Sequence, residues 1–298
     1  MAPGTRSRLI VVVLALLATP LEAQDTLSGP LLVRSAGSLR QPLADLLALF
    51  VRDHPRVVPH QESGGSVEMI RRSRDPASVP DVLGSADYAL IPAFLIPKYA
   101  TSYVKIGRNA MVLIYGDKSR FANELTAQNW PDVLLRPGVR VRRADPALDP
   151  GAYRVVLIYR LAERFYQRPG LAARLETAAP IWTPTPGADV FAQLAAGEFD
   201  YLWTYRSQAT TRGLKFLTLP RELDMSDSTL AGWYAGASLR IPRELGGTDS
   251  IEIRGEPIQY GLTIPTAAPH RAAAEAFLAF VMSDAGKQVL RRNGFVVP

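Results

Sequence analysis

Three short turns in the first third of the chain place serine beside glycine. They are Ala36-Gly37-Ser38, Gly64-Gly65-Ser66 and Gly84-Ser85. Glycine allows the backbone to approach a ligand closely, and a serine hydroxyl adds a neutral hydrogen-bond donor beside the backbone amides. A buried anion needs many such donors, because an unpaired buried charge is very costly. The three turns are therefore suited to binding an anion.

The same turns have an ordinary structural explanation. A serine just before a helix is a common N-cap, and Ser38, with Gln41 three residues later, matches the capping-box pattern. Asp149 precedes Pro150 and matches an N-cap followed by proline at the first helical position. The pattern alone leaves both anion binding and helix capping open.

Residues that would support catalysis are scarce. The sequence has no cysteine, and its three histidines, His54, His60 and His270, lack the spacing of zinc ligands. It contains neither the Gly-x-Ser-x-Gly motif of hydrolases nor the Gly-x-x-x-x-Gly-Lys motif that binds phosphate chains. We therefore expect no enzymatic activity and no cofactor. A hydrolytic enzyme is a minor alternative, since no activated nucleophile is visible.

The elements that must position the turns alternate between strands and helices. Residues 31–33 and 81–83 predict buried strands, and apolar residues between positions 39 and 50 recur with helical spacing. Strand, polar turn and helix in repetition indicate parallel strands with crossover helices. Ligands bind at the carboxyl ends of such strands, close to helix N-termini.

Two long extended segments divide the chain. Residues 103–115 and 257–265 flank a central block that has its own strands and helices. This order predicts an α/β fold of two lobes, each a mostly parallel sheet with flanking helices. A two-strand hinge is expected to join the lobes and to let them close around a ligand. The expected lobes are residues 28–108 with 257–298, and residues 109–256.

The first 23 residues match a secretory signal peptide. Arg6 and Arg8 precede an apolar stretch over residues 9–17, and a polar turn follows up to Ala23. This stretch is too short to span a bilayer, which needs about 20 residues. Without cysteine there is no lipobox for a lipid anchor. We therefore expect export to the periplasm and removal of residues 1–23.

The composition is that of a packed globular protein, with 47% hydrophobic and 21% charged residues. A net charge of +6 favours anionic ligands or membrane surfaces. The arginines are scattered, and their one tight group, Arg140, Arg142 and Arg143, alternates as on one face of a strand. We therefore expect no nucleic-acid partner.

Several specific runs of residues extend over nearly the whole chain after the leader. They are Ala36-Gly37-Ser38-Leu39, Gly65-Ser66-Val67, Asp81-Val82-Leu83-Gly84-Ser85-Ala86-Asp87-Tyr88-Ala89-Leu90-Ile91-Pro92, Ile96-Pro97-Lys98-Tyr99-Ala100, Arg108-Asn109-Ala110-Met111-Val112-Leu113, Asp145-Pro146-Ala147-Leu148-Asp149-Pro150, Tyr205-Arg206-Ser207 and Ile258-Gln259-Tyr260-Gly261-Leu262-Thr263-Ile264-Pro265. In these runs the chain resembles the WtpA-type tungstate/molybdate-binding proteins, a branch of the type II periplasmic binding proteins. The resemblance implies a monomer of that two-lobed fold, which delivers molybdate or tungstate to the inner-membrane permease of an ABC importer.

The resemblance also implies roles for individual residues. Ser38 and Ser66 are expected to donate hydroxyl hydrogen bonds from the first lobe, beside the backbone amides at Gly37 and Gly65. From the second lobe, Asp149 is expected to approach the metal centre of the anion.

Position 204 departs from the family. In the family, the tyrosine that corresponds to Tyr205 lies next to the binding site, and the residue before it is a glutamate. That glutamate and the family's aspartate together complete a roughly octahedral coordination of the metal. Here the residue is Thr204, whose hydroxyl can donate a hydrogen bond but is no anionic ligand. We therefore hypothesise plain tetrahedral binding with a weaker preference for tungstate. A periplasmic oxyanion sensor, or a binding protein for sulfate or phosphate, is the alternative.

Overall fold

The structure is a computed structural model that describes residues 27–182 and 189–297. The predicted leader, residues 1–23, lies outside the described residues. The strands are β1 (Gly29–Ala36), β2 (Val57–Gly64), β3 (Val82–Ser85), β4 (Val104–Arg108), β5 (Met111–Tyr115), β6 (Val141–Arg142), β7 (Tyr201–Tyr205), β8 (Lys215–Thr218), β9 (Ser238–Pro242), β10 (Ser250–Arg254) and β11 (Gln259–Thr263). The α-helices are α1 (Arg40–Asp53), α2 (Ser66–Arg72), α3 (Leu90–Phe94), α4 (Trp130–Leu134), α5 (Pro150–Phe165), α6 (Leu171–Ala178), α7 (Val190–Ala196), α8 (Arg206–Thr211), α9 (Arg221–Asp224), α10 (Ala231–Tyr234), α11 (Arg271–Met282) and α12 (Asp284–Arg292).

The first sheet carries two of the three predicted glycine-serine turns, whereas the third, Gly84-Ser85, lies within β3. Its strand order is β2-β1-β3-β11-β4, in which β1 pairs in parallel with β2 and β3. Ala36 at the end of β1 is the register partner of Gly64 at the end of β2. The two following turns, which contain Ser38 and Ser66, therefore leave the same edge of the sheet side by side.

The second sheet has the order β6-β7-β5-β8. Only β6 and β7 pair in parallel there, while β5 runs antiparallel to β7 and β8. In the first sheet β11 runs antiparallel to β3 and β4. Fewer strand pairs are therefore parallel than predicted. The reason is that β5 and β11, each the first strand after the chain passes from one sheet to the other, are antiparallel to both of their neighbours. An antiparallel pair that the sequence did not predict, β9 with β10, lies apart from both sheets.

The chain crosses between the two sheets twice. Only Asn109 and Ala110 separate β4 in the first sheet from β5 in the second. On the return, the amide of Ile258 donates to the Met225 carbonyl (2.8 Å), and the amide of Asn109 donates to the Ile258 carbonyl (3.3 Å). The two crossing segments are thus hydrogen-bonded to each other and form a narrow connection between the sheets.

Helix packing follows the apolar spacing of the sequence. In α1, Leu43, Leu46, Leu47 and Phe50 are buried on one face, and each such side chain contributes about 1.5–3 kcal/mol by leaving water. The Phe50 ring packs edge-on against Phe277 of α11, with 5.3 Å between ring centroids. Within the described residues, no helix combines the length and the apolar character needed to cross a bilayer.

An aromatic cluster fixes β7 against α5. The indole of Trp203 donates to the Tyr159 hydroxyl at 3.0 Å and packs edge-on against Trp130 at 5.3 Å between centroids. Tyr159 is completely buried in the third turn of α5. This packing places the end of β7, with Thr204 and Tyr205, beside the start of α5.

Candidate functional site

A cavity of about 350 Å³ is lined by residues of the carboxyl-terminal edge of β1 and of the second sheet. It brings together five of the seven residues predicted for the site: Gly37, Ser38, Asp149, Thr204 and Tyr205. Gly65 and Ser66, the other two, do not line this cavity. The carboxyl ends of strands are where ligands bind in open α/β sheets.

Ser38 lies in a short 3₁₀ turn, Gly37–Leu39, between β1 and α1. Its side chain does not cap α1, whose N-cap is Leu39 without a side-chain hydrogen bond, so the predicted capping box is wrong. The Ser38 Oγ instead accepts a hydrogen bond from the Tyr260 hydroxyl at 2.9 Å. Because Oγ acts only as acceptor in this bond, its own hydrogen remains available to a ligand.

Gly65 lies at a close contact between the start of α2 and the loop before α5. A Cβ at this position would overlap the carbonyl oxygen of Leu148, in the loop before α5. The amides of Val67 and Glu68 donate to the same carbonyl, at 3.0 and 3.3 Å. The start of α2 therefore contacts the loop of the other half directly, and glycine is the residue that permits this approach.

Ser66 is completely buried at the first position of α2. Its Oγ accepts a hydrogen bond from the backbone amide of Ala86 at 3.0 Å. This bond joins the second turn to the end of β3, below the cavity surface. In this conformation the Ser66 side chain supports the turn and does not face the cavity.

Asp149 is the N-cap of α5. Its Oδ1 accepts from the backbone amides of Gly151 (2.7 Å) and Ala152 (3.3 Å), so the predicted capping role is confirmed. Burial raises the pKa of Asp149, while hydrogen bonds from the amides of Gly151, Ala152 and Ser66 and the charge of Arg154 oppose the rise. The carboxylate therefore lies between the N-termini of α5 and α2, where positive helix dipole ends favour an anion.

Gly151 leaves room between two of the predicted residues. A Cβ there would stand 2.8 Å from Asp149 Oδ1 and 3.8 Å from the Tyr205 hydroxyl. The carboxylate and the phenol thus flank one small open space at the end of the cavity that also includes Ser38. We call this the polar end of the cavity.

A buried ionic network lies directly behind the polar end. Arg154 is 1% exposed, and its Nη1 donates to the Tyr205 hydroxyl (2.7 Å) and to the Ala86 carbonyl (2.8 Å). Its Nη2 is 3.3 Å from the Asp87 carboxylate, which also accepts from the Tyr153 hydroxyl. Because Tyr205 accepts from a cation, its own hydroxyl hydrogen is left for a ligand, and the charge of Arg154 makes it a stronger donor.

Sequence reasoning assigned no role to Arg154 or Asp87. A usable signal was present, because Arg154 is the one charged residue among the first ten residues of α5, most of which are buried. A charged side chain on a buried helix face requires a partner. Which partner it has depends on the tertiary structure.

Thr204 replaces the glutamate expected from the resemblance, and its surroundings are neutral. The Thr204 hydroxyl donates to Oε1 of Gln208, one turn into α8, at 3.0 Å. Gln208 lines the cavity as well. With Oε1 engaged, the amide nitrogen of Gln208 remains available as a donor. Within residues 27–182 and 189–297, no three His, Cys, Asp or Glu side chains are grouped as a metal ion would require.

Part of the cavity wall is apolar. This part carries aromatic and branched side chains, which are Val155, Trp182, Val190, Phe191, Leu202 and Trp203. Arg143 also lines the cavity and donates through Nε to the Ala179 carbonyl at 2.5 Å. We call this the apolar end of the cavity.

Comparisons with known proteins agree with one another. A profile of the bacterial extracellular solute-binding protein family matches residues 31–296. An uncharacterized solute-binding protein of Petrotoga mobilis is 35% identical over 280 residues, covering 94% of this chain and 87% of the relative. The molybdate/tungstate-binding protein WtpA of Pyrococcus abyssi is 29% identical over 293 residues, covering 89% of this chain and 84% of the relative. The predicted resemblance is thereby confirmed.

A solved structure has the same fold. The periplasmic molybdate-binding protein of Azotobacter vinelandii superposes with a TM-score of 0.64 over 90% of this chain and 99% of that chain, at 17% identity. This confirms the predicted two-lobed α/β class of the type II periplasmic binding proteins.

Proposed function

The chain belongs to the bacterial extracellular solute-binding protein family, and from this premise we propose that it captures a tetrahedral oxyanion, molybdate or tungstate, for an ABC importer. The observation that carries the proposal is the polar end of the cavity, where Ser38, Asp149, Thr204 and Tyr205 meet between the two sheets. The named relatives from Pyrococcus and Azotobacter support the choice of anion. Binding and release of a ligand require no catalysis, and we propose no enzymatic activity.

The donors for the anion are proposed to be neutral groups. Ser38 and Tyr205 each accept a hydrogen bond from the protein and keep a hydroxyl hydrogen for the ligand. Gly37 lets the backbone of the first turn reach the same space. Gly65 and Ser66 are proposed to support the site without contacting the anion, by holding α2 against the loop that carries Asp149.

Asp149 is proposed to serve mainly as the cap that joins α5 and α2. Its Oδ1 is already engaged by two backbone amides, and Thr204 supplies no second carboxylate. The bound anion therefore keeps four oxygen ligands, and the metal centre is not expanded to six-fold coordination.

Thr204→Glu tests this coordination. The added carboxylate should weaken sulfate or phosphate binding by like-charge repulsion and raise the preference for tungstate. X-ray absorption of the tungstate complex should report four oxygen neighbours for the wild type. Six neighbours in the wild type would contradict tetrahedral binding.

A second candidate ligand, sulfate or phosphate, is favoured by Thr204 itself. A site of neutral donors binds any tetrahedral anion of suitable size, because it offers no ligand that only a metal centre can use. Under this alternative the transport role is unchanged, and only the cargo differs.

The cellular setting completes the proposal. We propose that residues 1–23 direct export and are removed, and that the protein then acts as a monomer in the periplasm. Residues 28–108 with 257–298 form the first lobe, and residues 109–256 form the second. The inner-membrane permease of the importer is the proposed protein partner.

Isothermal titration calorimetry of the protein without its leader tests the function. Molybdate and tungstate should each bind with one-to-one stoichiometry and more tightly than sulfate or phosphate. Tighter binding of sulfate or phosphate would establish the second candidate instead. Absence of binding heat for all four anions, with a folded protein by circular dichroism, would overturn oxyanion capture.

A further inference from the structure

The cavity is larger than a bare oxyanion requires. Its volume is about 350 Å³. A tetrahedral oxyanion presents four oxygen atoms, and if each takes about the volume of a water molecule, roughly 30 Å³, they fill about 120 Å³. The cavity as a whole lies in the lower range of cavities that hold organic ligands, which starts at about 300 Å³, and about 230 Å³ of it would remain beside the anion.

The apolar residues of the cavity wall are grouped, since Leu202 packs with Val190 and Phe191 in one hydrophobic cluster. The groups suited to bind an anion, Ser38 and Tyr205, belong to the polar end, whereas Val155, Phe191 and Leu202 belong to the apolar end. A hydrated anion gains nothing from such walls, because they cannot replace its lost hydrogen bonds to water. An organic body attached to the anion would bury its own apolar surface there.

The aromatic side chains of the apolar end also contact other side chains of the protein. The Trp182 ring lies 6.1 Å from the Phe199 ring between centroids, and the Arg212 guanidinium lies 4.4 Å from the centre of the Phe191 ring. Trp203 is fixed by its hydrogen bond to Tyr159. Trp182 and Phe191 remain partly exposed. These side chains are therefore ordered surfaces against which an aromatic or branched ligand can pack.

The cavity wall at Thr204 is uncharged. Thr204 and Gln208 are hydrogen-bonded to each other, and neither carries a negative charge that would repel an anionic ligand. Arg143 lines the cavity and is half-buried, so it adds positive charge near the organic part of a ligand.

We propose that the cavity binds organic oxyanions, in which a phosphate or similar oxyanion group at the polar end is covalently joined to an aromatic or branched apolar body at the apolar end. This inference rests on the proposed function, since the same polar end holds the oxyanion group in both. It goes beyond that function, because it extends the ligands of the same polar end from free inorganic anions to organic ones. The anion group fixes position and orientation, and the apolar body adds affinity by leaving water.

Phenyl phosphate and methyl phosphate provide the test, because they carry the same anionic group and differ in the organic body. Calorimetry of the wild-type protein should give a Kd for phenyl phosphate about 10- to 100-fold lower than for methyl phosphate, as expected from burial of one aromatic ring. Phenol, which has the ring without the oxyanion, should not bind detectably at the concentrations used.

Two substitutions at the apolar end test the location. Ala144 is exposed and lines the cavity, so Ala144→Trp should fill part of the space and reduce the preference for phenyl phosphate at least 10-fold. Phe191→Ala removes one wall and should reduce it about 3- to 10-fold, and its partial exposure makes misfolding a small risk. Ala173→Trp, at an exposed position of α6, is the matched control and should leave the preference unchanged.

The outcomes separate this inference from the function on which it rests. If molybdate binds while phenyl and methyl phosphate bind equally, the apolar subsite is refuted and oxyanion capture stands. If phenyl phosphate binds well and molybdate does not, the subsite is supported and molybdate is not the ligand. If phenol binds as tightly as phenyl phosphate, or if no anion binds, the inference is overturned.

Discussion

Ser38→Ala removes a single oxygen atom that joins the candidate site to the interior. The Ser38 hydroxyl lies at the cavity and accepts from Tyr260, whose side chain is completely buried and 222 residues away in sequence. The substitution should therefore have two separate effects. One is loss of a donor to the bound anion, and the other is loss of the acceptor for Tyr260.

The magnitude of the first effect follows from the charge of the ligand. A hydrogen bond to a charged group contributes about 1.5–3 kcal/mol, and about 1.4 kcal/mol corresponds to a tenfold change in Kd. Ser38→Ala should therefore weaken oxyanion binding by about 10- to 150-fold. The assay is calorimetric titration with molybdate, at constant pH and ionic strength.

The second effect concerns stability without ligand. The Tyr260 hydroxyl would have no acceptor at hydrogen-bond distance in the buried interior, which costs about 1–3 kcal/mol. For a protein of this size the melting temperature falls by about 2–4 °C per kcal/mol. Thermal unfolding followed by circular dichroism should therefore show a loss of about 2–12 °C.

Tyr260→Phe separates the two effects. It removes the donor to Ser38 but leaves the serine hydroxyl at the cavity, so it should lower the melting temperature while changing the Kd for molybdate by less than about threefold. A folded Ser38→Ala protein that binds molybdate within a factor of two of the wild type would refute the role assigned to this hydroxyl.

The remaining predictions concern the contact between the lobes and the buried charges. Gly65→Ala places a methyl group against the Leu148 carbonyl oxygen, so it should prevent full closure and weaken molybdate binding at least 10-fold; unchanged affinity would show that closure does not need this contact. Arg154→Met leaves the buried Asp87 carboxylate without its cation and should destabilise the fold by about 3–5 kcal/mol in urea unfolding, an effect that Asp87→Asn in the same chain should partly reverse. Burial raises the pKa of Asp149 in the folded protein, so folding favours the protonated carboxyl. The stability that this group contributes is therefore fully present below its pKa in the unfolded chain, about 3.9, and is lost as the pH rises through its pKa in the folded protein. Asp149→Asn keeps an N-cap of equal quality, and its unfolding free energy without ligand should rise relative to wild type between pH 3 and pH 7; a pH-independent difference would contradict the raised pKa.

Several parts of the site could be predicted from the sequence because they depend on neighbouring residues. The Asp149-Pro150 start of α5 is a local hydrogen-bond pattern, and the structure contains it. Ser38 is predicted as a site residue from its type and position, and it lines the cavity. Its predicted capping role was wrong because the intervening 3₁₀ turn moves the start of α1 to Arg40.

Other parts depend on residues that are far apart in the chain. Ser66 faces Ala86, Gly65 approaches Leu148, and Arg154 reaches Asp87. No local pattern specifies such pairs, because they form only when the two sheets pack against each other. The sequence predicted an anion site between two lobes with hydroxyls from Ser38 and Ser66, but it did not predict that Ser66 is buried and does not line the cavity.

By itself the sequence determined the alternation of strands and helices around the first glycine-serine turns and the Asp149-Pro150 start of α5. These follow from backbone preferences and apolar spacing over a few residues, which are local properties. Only the tertiary structure decided that Ser66 is sealed beneath the surface, that Arg154 polarises Tyr205 and that the cavity continues into an apolar end. Those features depend on how distant surfaces fit together, since burial and cavity shape arise from packing and not from any single segment.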